Sequence, residues 1–250
     1  MSMPLTDTGH FSFGRVVSRS VSTFGANFGV FLALGALLAM APLVTTALIR
    51  SALGITSATA ANLVNAPANL ISIILTGAVI SGALDHLGGK PISFAGCLNA
   101  GMKNFPGMFG ISFLVGLGMI GGLILLVVPG LFLATAWAVA GPVWIAESTG
   151  VTKSIGRSFT LTKGHRWAIF GLILLAVVAF LVACFIMGVV IALIRGALPA
   201  DWTNELIINV ALVPVLTALL LIFLAIGAAA IYVDLSGSKA GTEPVASTFD

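Results

Sequence analysis

Residues 104–146 read "NFPGMFGISFLVGLGMIGGLILLVVPGLFLATAWAVAGPVWIA", a run without one charged side chain. As a single helix rising 1.5 Å per residue it would extend about 60 Å, roughly twice the hydrocarbon thickness of a bilayer. One crossing is therefore too few. The turn dipeptide Pro129-Gly130 near its middle is the expected break, giving spans at 108–128 and 131–146. The second is short and is continued by interfacial residues up to Glu147.

The same reading extends to both sides. An apolar stretch at 28–49 contains Pro42 and ends at Arg50, and another at 67–84 is closed by Asp85 and His86. Residues 167–194 end at Arg195, and a last stretch near 206–233 ends at Asp234. The chain is 59% hydrophobic and 8% charged, with a mean hydropathy of +1.16. Soluble domains are roughly 45–50% apolar and about 25% charged, so lipid must cover much of this surface. The expected fold is an all-α integral membrane protein with six transmembrane helices in one domain, 1–234, followed by a disordered cytoplasmic tail, 235–250. No removable signal peptide is expected; the first span itself directs insertion.

Six spans put both termini on one side, with the loops after the second and fourth. That side then carries Arg15, Arg19, Lys90, Lys103, Lys153, Arg157, Lys163, Arg166 and Lys239, against Arg50 and Arg195 opposite. The imbalance follows the positive-inside rule and predicts cytoplasmic termini. The net charge of +3 is explained by topology, not by nucleic acid.

A repeat underlies this arrangement. "FSFGRVVSRSVSTFGANFG" (11–29), "ISFAGCLNAGMKNFPGMFG" (92–110) and "KSIGRSFTLTKGHRWAIFG" (153–171) align without gaps, and each precedes a pair of spans. The expected units, 11–86, 92–147 and 153–234, are three hairpins, each preceded by an interfacial amphipathic helix. In the first leader Phe13, Val17, Val21 and Phe24 recur at helical steps, while Arg15 and Arg19 share another face. Near an anionic surface each Lys or Arg contributes about 1 kcal/mol. Arg15, Arg19, Lys103, Lys153, Arg157, Lys163 and Arg166 are thus the candidate lipid-contacting residues. Equally, they are topology signals on loop helices packed against the bundle.

Other polar residues read as structural. Asp85, Glu147 and Asp234 stand at the cytoplasmic ends of the three hairpins and are expected to pair with Arg15, Arg157 or Arg166 rather than to form a proton site. Asn65 and Asn69, with Asn62, share a face if the second helix starts before Pro67. With Asn209 they line an outer vestibule or, more simply, join helices. His10, His86 and His165 have no metal-type spacing, Cys97 and Cys184 no disulfide framework. Gly25/Gly29 and Gly118/Gly122 are small-residue pairs of the kind that allow close helix contact. No catalytic set is recognisable, so neither enzymatic activity nor a cofactor is expected.

The region 128–174 carries a resemblance. Pro129-Gly130, Trp137, Pro142, Glu147, Ser154, Arg157-Ser158, the turn from Leu161 through Gly164, and Arg166-Trp167 are similar to the membrane domain fused to some bacterial glycerophosphoryl diester phosphodiesterases. The opening at 11–29 is similar as well. The resemblance implies a six-helix domain of the bacterial inner membrane. A phosphodiesterase barrel needs roughly 200 or more residues, which the sequence outside the spans does not supply, so the family's activity is not expected here. The expected role is non-catalytic, contacting membrane lipids, anionic ones included, through the basic leaders. A membrane protein partner or a homo-oligomer is the other association the sequence allows. The alternative is a small-solute transporter or channel using the asparagine face.

Overall fold

The computed structural model describes residues 11–125, 127–197 and 213–240. Every regular element among them is helical: α1 (Phe13–Ala26), α2 (Phe28–Gly35), α3 (Ala41–Ala52), α4 (Ala58–Leu87), α5 (Phe94–Leu125), α6 (Val127–Ala136), α7 (Ala140–Glu147), α8 (Val151–Leu161), α9 (Arg166–Ala197) and α10 (Val213–Ala240). Five stretches are long and apolar enough to cross a bilayer, namely Phe28–Ala52, Ala58–Leu87, Phe94–Gly122, Arg166–Val190 and Pro214–Gly237. A shorter apolar stretch, Phe132–Glu147, is the sixth. The described part of the chain is thus all-helical, with the long apolar helices of a membrane protein.

Within the first stretch, a π-helical turn at Ala36–Met40 joins α2 to α3 just before Pro42. A proline ring collides with the carbonyl four residues back and offers no N–H. A widened turn moves that carbonyl aside and keeps the helix running. The second stretch begins earlier than expected, at Ala58. Ser57 caps it, its hydroxyl accepting from the Ala60 N–H at 3.3 Å. Pro67 is therefore inside α4, and the condition for the asparagine face is met.

Three further features, in the middle of the chain, differ from expectation. The charge-free run breaks between α5 and α6, and α6 runs through Pro129-Gly130. Pro129 falls in the first turn of that helix, where its missing N–H would have had no helical partner anyway. The fourth span is interrupted by a turn at 137–139, between α6 and α7. Finally, the second leader is no separate helix. Residues 94–110 are the first half of the continuous α5, which glycines seat closely along its length. Gly101 lies against α4, Gly107 against Trp144, and Gly118 against Trp137.

The last helix continues past Asp234 to Ala240, so residues 235–240 of the expected tail are helical. Leu235 is fully buried among Val16, Val139, Val143, Leu161 and Ile169, which extends the packing beyond the expected end. Residues 241–250 lie outside the described residues, as do His10, Asn209 and the start of the predicted sixth span.

The main core joins α2, α4 and α10 through Phe31, Leu34, Leu75, Val79, Ile222 and Ile226. Arg15 of α1 meets Asp234 of α10, while Phe24 meets Phe223 with ring centroids 4.6 Å apart. These two contacts run α1 antiparallel alongside α10, as a helix packed on the bundle. In contrast, only 6% of the apolar stretch of α9 is buried inside the protein. Of the small-residue pairs, Gly118 and Gly122 make close approaches, whereas nothing lies within 4 Å of a Cβ built at Gly25 or Gly29.

Candidate functional site

Charged and polar side chains gather where the ends of α4, α7 and α10 meet the starts of α1, α2 and α8. Asp85 and Glu147 lie in the last turns of α4 and α7, where a carboxylate opposes the helix dipole, and Asp234 is buried. Each therefore needs a cationic or donor neighbour. The structure supplies one to each of the three acids.

Asp234 is the most deeply placed, with 4% of its surface exposed. Arg15 donates from Nε to Oδ1 and from Nη2 to Oδ2, the latter at 3.4 Å. Arg19 Nη1 donates to Oδ1 at 3.3 Å, and the Ser12 backbone N–H donates to Oδ2 at 3.2 Å. The two arginines stand one helical turn apart on α1, which lets both reach one carboxylate. A buried carboxylate is tolerable only when paired and hydrogen-bonded on both oxygens. Here both are.

Glu147, the last residue of α7, accepts from Arg157 Nε at 3.4 Å and from the Tyr232 hydroxyl at 3.2 Å. The chain turns back between α7 and α8 through Ser148 (φ 49°) and Gly150 (φ 97°), bringing Arg157 within reach. Ser158 and Thr162 then donate to the Ala136 carbonyl, at 2.9 and 3.3 Å. That carbonyl is left over where α6 ends, and the two hydroxyls fasten α8 to it. Asp85 has a looser partner, Lys90 at 3.9 Å, both well exposed. His86 accepts at Nδ1 from the Asn27 amide at 3.1 Å, tying the end of α4 to the start of α2.

Arg166 lies between two rings, its guanidinium carbon 4.3 Å from the centroids of both Phe132 and Phe159. It also donates to the Phe159 carbonyl at 3.3 Å. Lysine cannot reproduce this planar stacking. Arg166→Lys is expected to lower stability by about 1 kcal/mol, read as a lower unfolding midpoint in detergent. An unchanged midpoint would show that the stack contributes nothing.

The expected lipid-contacting residues therefore divide. Arg15, Arg19, Arg157 and Arg166 are engaged within the protein, whereas Lys103, Lys153 and Lys163 are exposed. Trp167, beside Arg166, is 86% exposed. Asn69 is exposed and Asn65 half-buried on α4, so the structure does not bring them into this cluster. Sequence reading missed Tyr232, and it met Ser158 and Thr162 only as parts of a resemblance, without their bonds to the Ala136 carbonyl. Tyr232 is the chain's single tyrosine, set two residues before Asp234 in an otherwise apolar run, and that isolation was its one signal.

Among the described residues no three of His, Cys, Asp and Glu come together as metal ligands would. The arrangement suits fastening helices together and presenting positive charge, since its carboxylates are occupied by guanidinium and hydroxyl donors. Comparison with protein-family models, with curated proteins and with solved structures gives no match to this chain.

Proposed function

We propose that this chain is a non-catalytic protein of the bacterial inner membrane, with cytoplasmic termini, that engages anionic lipid headgroups through a basic rim. Its spans form three hairpins, and α1 and α8 are the amphipathic elements at the cytoplasmic end. The observation that carries the reading is the division of the cations. Arg15, Arg19, Arg157 and Arg166 are taken up by internal partners, while Lys103, Lys153 and Lys163 stay exposed, Lys163 four residues before the exposed Trp167. Tryptophan beside basic residues is the pattern of a headgroup layer. The resemblance of 128–174 to the phosphodiesterase-associated membrane domain points the same way on location.

The test is lipid retention. With Lys103, Lys153 and Lys163 all changed to glutamine, co-purified phosphatidylglycerol is expected to fall roughly tenfold or more, given about 1 kcal/mol per cation near an anionic surface. Retention equal to wild type would overturn the reading. The transporter alternative requires a polar cavity at Asn65 and Asn69, and no observation favours one.

A further inference from the structure

An apolar cleft of about 630 Å³ runs between α9 and α10, with α1 along one side. Small side chains open it: Ala179 and Ala183 on α9, Gly227 and Ala228 on α10. Val17 and Val21 of α1 complete the wall. On α10 the lining extends from Leu216 to Ile231, roughly 22 Å at 1.5 Å per residue. A leaflet with its headgroup region is about 20–22 Å deep, so the cleft matches one leaflet in length.

Among the described residues the two ends of this cleft differ in charge. At the Leu216 end the described lining residues are uncharged. At the other end Val16 and Ser20 line the cleft on either side of Arg19, and Ile231 stands one turn before Asp234. Here the Asp234 carboxylate pairs with both Arg15 and Arg19, and the Arg19 side chain remains 37% exposed. Arg166, just ahead of the cleft-lining part of α9, adds to the positive charge. A greasy slot one leaflet long with a partly exposed arginine at one end is complementary to one kind of molecule.

We propose that the cleft binds one anionic diacyl phospholipid of the surrounding leaflet, an acyl chain lying along α10 and the phosphate at the Arg19 end. This rests on the lipid-binding reading above for the class of ligand, but not on its lysines.

The full chain would be placed in phosphatidylethanolamine nanodiscs containing a minor fraction of phosphatidylglycerol that carries a diazirine along one acyl chain. After irradiation, adducts are mapped by mass spectrometry. The expected result is labelling of segments 172–183 and 216–228 about tenfold above the exposed Phe113 and Leu117 of α5, equivalent to ~1.4 kcal/mol of preference. The enrichment should disappear in the double variant Ala179→Phe, Ala228→Phe, checked for wild-type elution. Even labelling of α5 and the cleft would overturn the proposal in the wild-type protein alone, whatever the variant's folding. So would equal enrichment with a phosphatidylethanolamine probe, or enrichment that survives cleft filling. A dimeric particle with both segments unlabelled would assign the cleft to a second copy of the chain. Loss of lipid in the lysine variant with the wild-type adduct pattern intact is expected if both sites bind. Undiminished lipid there, with the pattern intact, removes only the rim.

Discussion

Asp234→Ala is expected to destabilise the protein by about 3 kcal/mol, measured as the shift of an unfolding transition in mixed detergent micelles. Removing one member of a buried ion pair costs about 3–5 kcal/mol, chiefly because the remaining charge is stranded. The value falls at the low end because the stranded groups, Arg15 and Arg19, are about one-third exposed and can partly rehydrate. The reciprocal change is the harsher one. Replacing Arg15 and Arg19 together with alanine strips both guanidiniums from a carboxylate that is 4% exposed and leaves it the Ser12 N–H, and the cost should reach about 4–5 kcal/mol. Asp85→Asn is the control, because an exposed pair 3.9 Å apart is worth at most about 0.5 kcal/mol. Equal effects at Asp85 and Asp234 would mean that the α1–α10 clamp does not form.

The second large effect is steric. A Cβ at Gly101 would lie 2.6 Å from the Ile74 carbonyl oxygen, 2.9 Å from the Ala78 Cβ and 3.0 Å from the Ala78 nitrogen. Two of these atoms are backbone of α4, so no rotamer change relieves the collision and the helices must separate. Overpacking of this kind costs about 1–3 kcal/mol. Gly101→Ala should fall near the top of that range, and Gly101→Leu should prevent a folded product. Gly116, on the same helix, has nothing within 4 Å of its built Cβ. There alanine should be neutral or gain up to about 1 kcal/mol from helix propensity. If both alanine variants unfolded at the wild-type midpoint, α4 and α5 would not approach as closely as described.

Apolar run length made the long helices legible, because a bilayer demands about 20 such residues whatever the neighbours are. The expected pairing of acids with leader arginines also reads correctly in kind for Asp234 and Glu147. What escaped was set by packing or by local rules of helix geometry. Ser57 announces the start of α4, yet the eye stops at Pro67. Pro129-Gly130 looks like a turn, but the first turn of a helix admits proline. Residues 92–110 resemble their two counterparts in pattern while Gly101 and Gly107 draw them into a span. Which arginine finds which acid depends on α1 lying beside α10, and no local pattern states that. Nor could a cleft be foreseen from Ala179, Ala183 and Gly227, since small residues are everywhere in this chain.

The clamp has a bearing on biosynthesis. Arg15 and Asp234 are separated by 219 positions, which at about 5–20 residues per second means roughly 10–45 s between the emergence of the two. Throughout that interval Arg15 and Arg19 of α1 lack the Asp234 carboxylate that holds them in the folded protein. Closure is therefore a late event, completed only when the final helix leaves the ribosome. A nascent chain halted before that point would keep its opening segment unlatched, within reach of insertion machinery or proteases.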